Sequence, residues 1–148
     1  MADPGDVSAA MSDAAEEYPE ADGGITYDAA DLTFTQWVVR TDDAGSLRDR
    51  VQAAFDRTAA GTDLRLVVER ADASQEALGR VGSDLADASR TDPAWPTGLA
   101  MTGARDPERG TFVIDAGDRA DDPAVVAYVE TRWPGLVSLS REQPARLE

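Results

Sequence analysis

Asp115, Asp118, Asp121 and Asp122 form the densest run of carboxylates in the chain. Oxygen ligands of this kind suit a hard cation such as Ca²⁺ or Mg²⁺. The spacing is not that of an Asp-x-Asp-x-Asp-Gly loop closed by a Glu at position twelve. Pro123 follows directly, and Pro is favoured at the first position of a helix, so these carboxylates are expected to cap one. Asp42 and Asp43 precede another apolar stripe and receive the same reading. A carboxylate-dependent hydrolase would need an acid pair in a cleft, with Asp106, Glu108 and Glu130 as candidates. The chain carries 29 Asp and Glu, so pairs arise by chance and abundance alone marks no site. No catalytic residue, metal or cofactor is assigned.

The residue types that are missing exclude more. The chain has no His and no Cys, and all 14 of its basic residues are Arg. A Ser-His-Asp triad, a thiolate nucleophile, a disulfide framework and the preferred ligands of zinc are absent together. Without Lys there is neither a Schiff-base amine nor a standard phosphate loop.

The net charge of −15 repels nucleic acid and anionic membrane surfaces, so neither is expected as a partner. A protein partner is expected instead, and a basic one fits the charge. Residues 1–24 hold seven of the acids and no Arg, which draws attention to Glu16 and Glu17 at the end of the first apolar stripe. Trp95, between Pro93 and Pro96, is a candidate for partner contact. Arg105 and Arg109 flank a turn and could grip a carboxylate or phosphate in a bidentate manner. The same acidity also suits a protein adapted to high salt. The apolar runs are strand-sized and the opening residues are acidic, so neither a transmembrane segment nor a signal peptide is expected, and the reading is a soluble cytoplasmic protein.

These residues have to be positioned by a recognisable series of elements. Val7, Met11, Ala14 or Ala15 and Tyr18 recur at helical spacing. Ile25–Tyr27 and Leu32–Arg40 read as strands of a hairpin around Asp28–Asp31. Ser46-Leu47-Arg48-Asp49 resembles a capping box ahead of the stripe Leu47, Val51, Ala54 and Phe55. Gly61 suits the end of that helix, and Leu64–Arg70 reads as a strand. Another helix carries Leu78, Val81, Leu85 and Ala88, with Gly79 and Gly82 marking either close approach of another element or a marginal helix. Leu99–Thr102 and Thr111–Asp115 read as strands around a turn over 104–110. Val125, Val129 and Trp133 lie on a helix stopped by Pro134-Gly135, and Leu136–Ser140 is the last strand.

The order helix, strand, strand, helix, strand occurs twice. A shift of 78 positions lays Asp28, Thr33, Phe34 and Asp43 on Asp106, Thr111, Phe112 and Asp121, and Phe55 on Trp133. The expected fold is α+β: two degenerate αββαβ units packed as one globule, with a mostly antiparallel or mixed sheet that the units share or stack. Residues 1–24 form an acidic helical segment leading into the first unit. Residues 25–71 complete that unit, 72–141 form the second, and 142–148 are a polar tail. The function expected is a non-catalytic binding or regulatory module acting through protein–protein contacts. The order of elements also resembles in layout the pro-regions of some secreted bacterial serine proteases, which implies a chaperone-like or inhibitory partner of another enzyme.

Overall fold

The computed structural model describes residues 3–142. Of the expected tail, the part beyond Glu142 lies outside the described residues. The chain divides into two compact units. The first runs to Glu76 and takes in Pro107–Arg109, and the second comprises Ala77–Asp106 and the chain from Gly110 onward.

The first unit opens with α1 (Pro4–Ala15). The Asp3 carboxylate accepts the Gly5 N–H at 2.8 Å and Pro4 supplies a pre-set first turn. Strand β1 (Asp22–Asp28) follows and pairs antiparallel with β2 (Thr33–Val39). The hairpin turn forms because the Asp28 carboxylate accepts the N–H groups of Ala30 and Asp31. Helix α2 (Ala44–Thr58) then carries the chain over to β3 (Arg65–Ala71), which lies parallel to β2. Strand alternation turns Phe34, Gln36 and Val38 inward, and the register brings Leu66 and Val68 onto the same face. That face packs with Val7, Met11 and Ala15 of α1 and with Leu47, Val51 and Phe55 of α2 in one apolar cluster.

Gln36 is the buried polar side chain of this core. Its amide nitrogen donates to the Asp22 carboxylate (3.1 Å) and to the Gly24 and Trp37 carbonyls (3.2 and 2.9 Å), while its Oε1 has no partner among the described residues. Those bonds sit where β1 bulges between Asp22 and Gly24.

The second unit is formed by α3 (Gln75–Thr91, from Ala77), β4 (Gly103–Asp106), β5 (Thr111–Asp115), a 3-10 turn at Gly117–Asp121, α4 (Pro123–Arg132) and β6 (Val137–Ser140). β4 pairs antiparallel and β6 parallel with the central β5. Val81 and Leu85 of α3, Phe112 and Ile114 of β5, Val129 of α4 and Val137 of β6 make its core. Gly82 answers to the expected close approach: a Cβ there would lie 2.7 Å from the Phe112 ring. Gly61 and Gly135, just beyond α2 and α4, have φ of 78° and 76°, a region that L side chains disfavour.

The protein is thus α+β, with two three-stranded mixed sheets rather than one shared sheet. Two local expectations need correction. α2 starts at Ala44 instead of Leu47, with Asp43 rather than Ser46 at the N-cap position and no side-chain cap bond, so the capping-box pattern lies inside the helix. β4 occupies residues that turn chemistry had claimed, and Leu99–Thr102 is not a strand. Leu99 instead buries itself against Ala116 and Val125, and the turn tightens to Pro107–Gly110, closed by the Gly110 N–H on the Asp106 carbonyl at 2.9 Å.

Candidate functional site

Glu16 is the C-cap residue of α1 and Glu17 follows it, and both are exposed. The stripe Val7, Met11 and Ala15 that anchors the helix leaves Asp6, Asp13, Glu16 and Glu17 on its other faces. No basic residue stands in the last turn of α1. A groove of about 310 Å³ runs beside it, lined by Asp13 and Glu17 and by Arg50 and Arg57 of α2.

Trp95 is half-buried in the second unit. Its indole N–H donates to the Leu99 carbonyl at 3.1 Å, and its ring meets Tyr128 edge-on with centroids 5.4 Å apart. In the structure this indole holds its own loop. Tyr128 also approaches Trp133 (6.1 Å), which is half-buried and closes α4 as its C-cap residue. The Tyr128 hydroxyl donates to Asp92 at 2.6 Å, Arg132 pairs with the same carboxylate at 2.6 Å, and the guanidinium lies 4.5 Å over the tyrosine ring. The Tyr128 bond, the Ala94 N–H and the Arg132 charge hold Asp92 below the usual carboxylate value. Burial, and then the bond to Asp92, push Tyr128 up to about 12. This network fastens the end of α3 to α4 without sequence spacing to announce it, since Asp92 and Tyr128 are 36 positions apart.

Arg105 lies in β4 opposite Phe112, and Arg109 lies in the turn that follows. Each takes part in an interaction within the chain. Of the acidic run, Asp122 caps α4 by accepting the Ala124 N–H at 2.9 Å and pairs with Arg119, while Asp121 pairs with Arg141. Among the described residues no three acids are grouped to hold a metal ion. Asp106 ends β4, Glu108 sits in the turn, and Glu130 is exposed on α4.

A second cleft, of about 300 Å³, escaped the sequence reading. It opens in the first unit and is lined by Val38, Arg40, Ala44, Arg48, Val68, Glu69 and Arg70. Part of the signal was present in the strand alternation: Leu66 and Val68 are followed on their own face by Arg70, and Arg40 comes directly after β2.

Comparison with protein families, with characterised proteins and with solved structures finds no match to this chain. Among the described residues no helix is long and apolar enough to cross a membrane.

Proposed function

We propose that this chain is a non-catalytic binding or regulatory module that meets a basic protein partner at the carboxyl end of α1. The observation that carries this reading is the placement of Asp13, Glu16 and Glu17. The end of a helix has a partial negative charge, and carboxylates there lower its stability. α1 nevertheless gathers acids at that end, sets no basic residue in its last turn, and forms no ion pair with Glu16 or Glu17 among the described residues. A partner's cations would relieve both the mutual repulsion and the unfavourable dipole.

The test uses a fluorescent deca-arginine peptide as a defined basic probe, with anisotropy read at low ionic strength. The double variant Glu16→Gln, Glu17→Gln is expected to bind about fivefold more weakly, as fits two exposed charge pairs. The control Asp84→Gln, Glu130→Gln removes the same charge from exposed positions on α3 and α4. Equal weakening in both variants would show that only the overall charge matters and would sink this reading.

We also infer that the two units descend from a degenerate duplication. In support, Asp28 pairs with Thr33 and Asp106 with Thr111 at the mouths of the two hairpins. Phe34 and Phe112 are both core residues of central strands, and Leu47, Val51 and Val125, Val129 are buried on the crossover helices. Both units order their strands as a hairpin with a parallel strand added to its second member.

A further inference from the structure

We propose that the cleft lined by Arg40, Arg48 and Arg70 binds a phosphate-bearing small molecule. The argument begins with the alternation of the strands. On β2 the inward positions run Phe34, Gln36, Val38, and Arg40, just past the end of the strand, lines the same cleft; on β3 they run Leu66, Val68, Arg70. The register pairs Val38 with Arg70, so both guanidinium-bearing positions fall at the carboxyl end of the parallel pair, on the face that α2 covers. From α2, Ala44 and Arg48 are one turn apart and line the same space. The residue after β2, the end of β3 and the first turns of α2 thus each bring an exposed arginine to one cleft.

The arginines have no use inside the fold. The chain holds 29 acids, yet the side chains of Arg40, Arg48 and Arg70 form no hydrogen bond or ion pair with a described residue. Glu69 contributes to the wall, but alternation directs its side chain to the opposite face from Arg70. The start of α2 beside them is left without a side-chain cap. The second unit handles the corresponding place differently. Phe112 pairs with Val137 as Phe34 pairs with Leu66, so Arg141 stands where Arg70 does. There Arg141 is paired with Asp121, and α4 is capped by Asp122. One unit neutralises the position internally and the other leaves it cationic.

The chemistry of the guanidinium selects the ligand class. One carboxylate satisfies a single planar fork, whereas three forks arriving from three elements call for an anion with more oxygens and more than one charge. A phosphoryl or diphosphoryl group meets that need. The space of about 300 Å³ is at the lower end for small-molecule sites and admits more than a bare phosphate.

The test is calorimetric titration of the full chain with inorganic pyrophosphate, inorganic phosphate and, as a polycarboxylate comparator, citrate. The expected result is saturable binding of one pyrophosphate, weakened about tenfold or more by each of Arg40→Gln, Arg48→Gln and Arg70→Gln, since charged hydrogen bonds of this type are lost. Arg141→Gln should leave the affinity unchanged. All three cleft variants should keep the circular dichroism and melting point of the parent, because these side chains hold nothing in the fold. Absence of saturable binding, or equal weakening by Arg141→Gln, would overturn the site. Citrate binding as tightly as pyrophosphate would overturn the phosphate assignment.

Discussion

Tyr128 shows how one residue can tie the behaviour of a unit to pH. Burial, and then the bond its hydroxyl donates to Asp92, push the folded group up to about 12 against an ordinary value of 10.0. A group raised in this way contributes fully below pH 10, and its contribution disappears as pH rises from 10 to about 12. Urea denaturation across that range should show the parent protein losing stability faster than Tyr128→Phe, which has no proton to give up. Parallel curves would mean that the network is not the cause. Asp92 behaves in the opposite sense: its contribution is present above the ordinary carboxylate value of 3.8 and is lost as pH falls through the lowered folded value. None of this was legible in the sequence, because a bond between Asp92 and Tyr128 depends on how α3 and α4 pack. The helical stripes Val7, Met11, Ala15 and Leu47, Val51, Phe55 were legible, since burial repeats with the helix period.

At the level of elements, the helices and most strands announced themselves, and the boundaries did not. Ser46-x-x-Asp49 carries the residue types of a capping box, yet α2 begins three residues earlier, because the chain leaving β2 is already turned at Thr41, whose hydroxyl accepts the Asp43 N–H. β4 was obscured by charge: Arg105 and Asp106 look like turn residues, but an edge strand with solvent on one side tolerates them. The two crossover helices differ in a testable way. Asp122 accepts the Ala124 N–H, and Asp43 caps nothing. Asp122→Ala should therefore cost about 1 kcal/mol in a denaturant melt, and Asp43→Ala should cost only a small fraction of that. Equal losses would show that the helix dipole, rather than the cap bond, sets the effect.

For the whole molecule the governing quantity is the net charge of −15. Like charges at this density repel most in dilute buffer, and salt near 1 M shortens their reach to about 3 Å. The melting temperature followed by circular dichroism should rise steadily from dilute buffer to multimolar KCl. A flat profile would show that the acids are well enough spaced to need no screening, and adaptation to salt would lose its support. The order in which contacts form follows from the mixed sheets. β1 and β2 are neighbours in sequence and can zip together as soon as both exist. β3 can join only after α2 has been laid down between them, because parallel strands need a crossover. Arg70 arrives with that last strand. The arginine cleft therefore exists only once the first unit is complete, and an anion lodged there would act as a latch, slowing the departure of the strand that was last to arrive.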